Sequence, residues 1–151
     1  MEFKRATAFD SPGISALENE IFPDPWSCRA ITDCICTEGA MCFVAKDERG
    51  IVAYVLGRLI APEGEIYRVA VRPESRKRGI GYRLLDYSVK TSRGAGLESL
   101  FLEVRSKNTA AINLYSAYGF KRIGTRKNYY KNPDDDAILM LLASRVDMEF
   151  I

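Results

Sequence analysis

Apolar residues along the chain come in short β-rich runs that alternate with amphipathic stretches, and the switches between the two set out the elements. "EFKRAT" predicts a first strand. "DSPGISALENEIF" predicts a helix, with Asp10 or Ser11 as N-cap and Pro12 in its first turn. "FPDPW" breaks the chain, and Ser27 then caps a second helix running to about Cys36. "AMCFVAKD", the turn "ERG" and "IVAYVLGRLI" predict a hairpin, with "EIYRVAV" as the next strand. A basic loop follows. The helix after it, to about Arg93, sets Ile80, Leu84, Leu85 and Val89 near one face, and "RGAG" ends it. "LESLFLEV" is another strand, and "NTAAINLYSAYGF" a short helix from an Asn108 cap to a Gly119 stop. "FKRIGTR" and "DAILMLLA" close the chain as strands on either side of a "NYYKNPDD" loop. This order predicts an α/β fold: a mixed sheet whose helices connect neighbouring strands, in one three-layer domain over residues 1–151.

Composition narrows the partners. With 47% hydrophobic and 28% charged residues and a formal net charge of +2, the chain reads as globular, neither a disordered tail nor a basic coat for nucleic acid. Any preference for a partner must be local, and neither nucleic acid nor membrane is expected. No run approaches the ~18 apolar residues of a membrane span, and "MEFKRATAFD" lacks the apolar centre of a signal peptide, so a cytoplasmic location is expected. The sequence has no histidine, which excludes Ser-His-Asp and Cys-His catalysis and the HExxH metalloproteases. Proton transfer falls to Glu, Asp, Tyr, Lys or Cys. Cys28, Cys34, Cys36 and Cys42 crowd into one region, but their spacing matches no common zinc pattern. They are expected to be small buried core residues, with no metal.

Candidate chemistry concentrates in "VRPESRKRGIGYRLLDYSV". Arg72, Arg76, Lys77 and Arg78 supply positive charge, while Gly79 and Gly81 remove side chains that would keep a ligand from the backbone. A solvated basic turn explains the charges but not two glycines where a helix should begin, each costing about 1 kcal/mol relative to alanine. Backbone amides left open toward a phosphate explain both. The loop is not a Walker A sequence, which needs four residues between its glycines and then Gly-Lys-Ser/Thr. Nor is it a Rossmann fingerprint, since Leu84 stands where a third glycine or alanine belongs.

Arg76-Lys77-Arg78-Gly79-Ile80-Gly81 resembles the Arg/Gln-x-x-Gly-x-Gly/Ala pyrophosphate loop of the GNAT superfamily of acyl-CoA N-acyltransferases. "YRVAV" upstream and "NTAAINLYSAYGF" downstream match the same family in order and spacing. Within it, "FPDPWS", "LFLEVRSKNTAAINLY" and "RKNYYKNPDDDAILM" resemble the bacterial enzymes that acetylate the N-terminal alanine of a small-subunit ribosomal protein. Two departures fall on the substrate side: "PDPW" is two residues longer than the usual "FPW" form, and Arg68 replaces a usually uncharged residue. The resemblance implies the GNAT fold, a mostly antiparallel sheet of about seven strands flanked by about four helices. It also implies acetyl-CoA as cosubstrate, without metal.

For the site, the resemblance implies that Val69, Ala70 and Val71 run beside the pantetheine arm. Arg76, Lys77, Arg78, Gly79, Ile80, Gly81, Tyr82 and Asn108 contact the rest of the cofactor. Glu103 would accept the amine's proton and Tyr115 would protonate the departing sulfur. On the residues alone, Glu103 reads equally as a solvated strand-end charge, and Tyr115 as a core tyrosine. Tyr115 lies two helical turns after Asn108 on the same face, so cap and phenol can address one ligand. Tyr129, Tyr130 and Asp136, beside Asp134 and Asp135, are implied as one wall of a peptide groove, with Trp26 either the opposite wall or an anchor between helix and sheet. An α-amino group of pKa about 7.7–8.0 is neutral near pH 7 far more often than a lysine amine of about 10.4, which favours an N-terminal peptide as acceptor. The alternatives are a small amine or a lysine as acceptor, and, in another class, a non-catalytic acyl-CoA-binding or RNA-binding module.

Overall fold

The computed structural model describes residues 1–143; the last eight residues of the expected domain, 144–151, lie outside them. In chain order the elements are β1 (Glu2–Arg5), α1 (Ser11–Ile21), α2 (Cys28–Cys36), β2 (Phe43–Asp47), β3 (Gly50–Ile60), β4 (Glu63–Val71), α3 (Ile80–Gly94), β5 (Ser99–Arg105), α4 (Thr109–Tyr118), β6 (Lys121–Tyr130) and β7 (Asp135–Leu142). The order of strands and helices is the expected one. β3 is apolar along both faces, and Val52, Ala53, Tyr54, Val55 and Leu56 are fully buried, as a strand covered on two sides requires.

The strands form one seven-stranded sheet in the order β1-β2-β3-β4-β5-β7-β6. Among the described residues only the β4–β5 pair is parallel; the other neighbours are antiparallel. On one face, α3 and α4 bury Ile80, Leu84, Leu85, Val89 and Tyr115 against Phe43, Val55, Leu100, Leu102 and Met140. On the other, α1 and α2 bury Ile14, Leu17 and Ile31 against Val44, Tyr54, Leu56 and Ala70. The second pair reaches only as far as β4, so among the described residues the same face of β5, β7 and β6 stays open.

Local chemistry corrects several sequence-based expectations. Ser27 and Asn108 do cap their helices, accepting from Ala30 N at 3.0 Å and Ala111 N at 3.2 Å, as their residue types favour. Asp10 makes no cap bond to α1; its carboxylate instead accepts the Thr7 N–H at 2.8 Å and pairs with Lys46 at 2.5 Å, tying the helix entry to β2. β4 begins two residues early, at Glu63, because Glu63 and Gly64 pair with both β3 and β5. The "NYYKNPDD" loop is also shorter than expected, since Asn128–Tyr130 belong to β6. Tyr130 pairs with Asp135, and the Arg105 guanidinium donates to Pro133 O (2.7 Å) and Lys131 O (3.0 Å), folding the turn against the sheet. Of the four cysteines, only Cys42 is buried. Cys34 is half-buried, and Cys28 and Cys36 are exposed because they occupy the outward side of α2.

Candidate active site

The site begins where β4 and β5 separate. Their parallel pairing spans only Glu63–Ile66 against Ser99–Leu102, although β4 runs on to Val71 and β5 to Arg105. Beyond Ile66 the edge of Val69–Val71 turned from β3 has no strand partner among the described residues, so its backbone groups are available to a ligand. At the same point β4 carries a bulge: Leu56 pairs with Arg68 and Gly57 with Ile66, leaving Tyr67 unpaired. The extra residue puts both Tyr67 and Arg68 on the α1/α2 face and returns Val69 and Val71 to the α3 face. Gly57 permits it, since a Cβ there would lie 2.5 Å from the Glu65 carbonyl oxygen.

A cavity of about 380 Å³ opens into the gap on the α3 side. One wall is Val69, Ala70 and Val71; the floor and far wall are Gly79–Tyr82 at the start of α3 and Asn108, Leu114 and Tyr115 from α4. Gly79 adopts the left-handed conformation, which glycine takes without steric cost, and it starts α3 with no side-chain cap. The first helical bond runs from Arg83 N to Gly79 O, so the amides before it are open at the positive end of the helix dipole. Arg76 and Lys77 line the rim, with the Arg76 Nε held on Val71 O at 3.0 Å. Tyr82 stacks edge-on with Tyr118 beside them. Arg78 is exposed and outside the lining, and Arg72 is used structurally, donating to Ile51 O and facing Glu74 at 3.6 Å. These features fit a ligand carrying phosphates at one end and a linear amide arm.

Glu103 stands one position past Leu102, the last β5 residue paired with β4. Its carboxylate lies 3.6 Å from Arg126 Nε. Tyr130 is close by: burial first, and then the Glu103 charge, push its phenol up to about 12. Glu65 shares the same open face, and burial together with the Glu103 charge raises its carboxyl above the ordinary value. Tyr115 lines the α3-side cavity and is itself buried. Burial and then Tyr130 hold its phenol above the usual tyrosine range, so it is protonated at neutral pH and able to donate. A second cavity, of about 560 Å³, extends down the open face from Arg58, Glu65 and Tyr67 to Phe101 and Leu141. A cavity carrying Glu63 and Glu65 thus lies on one side of the sheet and a phosphate-suited cavity on the other.

Trp26 packs against the α1/α2 core and sets its ring 6.0 Å from Tyr67, so it anchors the α1–α2 connection behind Tyr67 and lines neither cavity. Tyr129 is half exposed and meets Tyr130 edge-on at 5.1 Å, under the Arg126 guanidinium. The Asp136 carboxylate is engaged by Asn128 N at 2.8 Å. Asp135, read from sequence as a turn acid beside the groove, instead accepts the Ser106 hydroxyl and Lys107 N, which fixes the segment leading into the Asn108 cap. Sequence reasoning missed Glu65, and it missed the buried Glu18 of α1, which accepts the hydroxyl of Tyr54 from β3, because both depend on which elements pack together. An acid in an otherwise apolar helix face was the one signal available for Glu18.

Residues 12–120 match the acetyltransferase (GNAT) family. The ribosomal protein bS18-alanine N-acetyltransferase of Escherichia coli K12 is 30% identical over 137 residues, covering 88% of this chain and 90% of that protein. The N-alpha-acetyltransferase RimI of Mycobacterium tuberculosis is 34% identical over 140 residues, covering 89% and 87%. The crystal structure of the Escherichia coli ribosomal-protein-S18-alanine N-acetyltransferase superimposes with a TM-score of 0.87 at 28% identity, over 94% of this chain and 92% of that one. The parted strands, the glycine-opened helix start and these matches along most of the chain make it a member of the GNAT acetyltransferase family, an N-acetyltransferase.

Proposed function

We propose that the protein acetylates the N-terminal amine of a protein acceptor, that of a small-subunit ribosomal protein beginning with alanine, using acetyl-CoA in a single ternary complex. The observation that carries this reading is the position of Glu103 one residue past the last β4–β5 pair, at the fork beyond which Val69–Val71 line the α3-side cavity. Acetyl-CoA supplies an acetyl group activated as a thioester. Val69–Val71 hold its amide arm, the open amides at Gly79–Tyr82 with Arg76 and Lys77 hold its phosphates, and Asn108 flanks the arm from α4. The acceptor enters along the open face. Its nitrogen forms the new amide bond as the acyl carbon–sulfur bond breaks; the amine's proton passes to Glu103, and the sulfur takes one from Tyr115. An α-amino group near pKa about 7.7–8.0 asks little of a carboxylate base, which favours N-termini over lysines of about 10.4. The alanine preference draws support from the relatives named above, and cytosolic ribosomal proteins as acceptors imply a cytoplasmic enzyme.

The test uses purified protein, acetyl-CoA and short peptides beginning with Ala, Ser or Met, plus an acetyl-Ala peptide with an internal lysine, read by CoA release and product mass. Acetylation confined to free N-termini and strongest on alanine supports the proposal. Modification of the internal lysine alone would overturn it in favour of a lysine acetyltransferase, and no peptide product at all would redirect the search to small amines.

A further inference from the structure

The bulge aims Arg68 at the α1/α2 face, where the side chain is 16% exposed. Its Nε sits 3.3 Å from Glu18 Oε1, a carboxylate with no solvent exposure. Glu18 also accepts the Tyr54 hydroxyl and the Trp26 N–H, the latter at 2.9 Å. The other end of the guanidinium donates to Asp24 O at 2.7 Å and faces the Asp24 carboxylate at 3.6 Å, and its plane covers the Phe22 ring at 3.9 Å. Phe22, Asp24 and Trp26 are alternate residues of the α1–α2 connection, and the residues between them are Pro23 and Pro25. Proline has no N–H, so the connection cannot be fastened by backbone donors at those positions. One guanidinium and one buried carboxylate hold it instead.

Held this way, the connection serves both cavities. Phe22 lines the α3-side cavity, and Trp26 backs Tyr67, which lines the open-face cavity. We propose that Arg68 is a positioning residue that locks the α1–α2 connection, with Phe22 lining one cavity and Trp26 behind Tyr67 of the other, and thereby fixes the path by which the acceptor reaches Glu103. The planar fork suits this position. It donates at two points and stacks on a ring at once, which a lysine ammonium cannot do. The kinetic consequence rests on the peptide-acceptor reading; the structural one does not.

The experiment compares wild type, Arg68→Gln and Arg68→Lys by three readouts: emission of Trp26, the sole tryptophan; amide exchange over residues 22–27; and Michaelis constants for each substrate. Arg68→Gln should red-shift Trp26, speed exchange at Asp24 and Trp26, and raise the peptide KM about tenfold, while the acetyl-CoA KM stays within about twofold. Arg68→Lys keeps a cation beside Glu18 and should show the same changes at smaller size; it carries the test if Arg68→Gln fails to fold. Unchanged Trp26 emission with unchanged peptide KM would overturn the inference, as would equal losses for both substrates, which signal general damage. If wild type acetylates no peptide, the acceptor reading falls separately, and the emission and exchange data still decide the role of Arg68.

Discussion

Glu103 and Tyr115 lie on different sides of the same gap, one on the open sheet face and one lining the α3-side cavity, and their surroundings suit them to opposite roles in the proposed reaction. The carboxylate has Arg126 at 3.6 Å and Tyr130 close by, whereas burial keeps the Tyr115 phenol protonated. Glu103→Gln and Tyr115→Phe are each expected to lower kcat by about 10²–10⁴-fold, with the acetyl-CoA KM little changed. Because the Tyr115 phenol is held above its ordinary range, it loses no protonated form through mildly alkaline pH. Wild type should therefore show no alkaline fall in kcat from this group below about pH 10, and Tyr115→Phe should lower the profile without changing its shape there. Glu65 adds a test of stability. Its carboxyl is raised from 4.5 by burial and by the Glu103 charge. It therefore costs nothing where it is protonated in both folded and unfolded chains, and the cost appears as pH rises through its folded pKa. Glu65→Gln removes the raised carboxyl while leaving the Glu103–Arg126 pair in place, and should raise the urea midpoint at pH 7 while leaving it unchanged near pH 4.

At the level of elements, the bulge in β4 decides which side chains meet. Gly57→Ala would drive a Cβ to 2.5 Å from the Glu65 carbonyl oxygen, and relief requires shifting backbone rather than a side chain. A loss of about 1–3 kcal/mol in urea unfolding is expected, with a higher acceptor KM because Tyr67 and Arg68 both turn at this bulge. Asn108→Ala removes only a cap and should cost about 1 kcal/mol in the same measurement. The helices were legible from sequence because capping and amphipathic spacing are local. Ser27 and Asn108 cap as expected, and Ile80, Leu84, Leu85 and Val89 are buried. The ends of β4 and β6 were not, because Glu63 and Tyr130 are strand residues by virtue of their pairing, Glu63 with Ile60 and Ser99 and Tyr130 with Asp135, which no local pattern assigns to them.

For the whole molecule, two helices on each face and one parallel pair amid antiparallel ones leave a single sheet opened between β4 and β5, with half of one face uncovered among the described residues. A ligand bound across that gap joins the β1–β4 half to the β5–β7 half. Acetyl-CoA at about 100 times its Kd should stabilise the fold by about 2.7 kcal/mol, and the rise in melting temperature should be roughly 5–10 °C at about 2–4 °C per kcal/mol. Gly79→Ala, strained in the left-handed backbone conformation that Gly79 holds, should lose most of that rise through weakened binding, which thermal unfolding with and without acetyl-CoA would report.

The sequence by itself determined the order of elements, the glycine-opened start of α3 and the presence of Glu103 and Tyr115 at motif positions, because each rests on residues close together in the chain. The tertiary structure alone decided that Arg68 turns toward Glu18 rather than toward the α3-side cavity. It also committed Arg72 to Ile51 and Asp135 to Ser106, and placed Glu65 on the same face as Glu103. In each case the physical reason is the same. Strand side chains alternate with period two, so one bulged residue or one change of neighbouring strand reverses the surroundings of every side chain beyond it, and no local pattern in the sequence records that reversal.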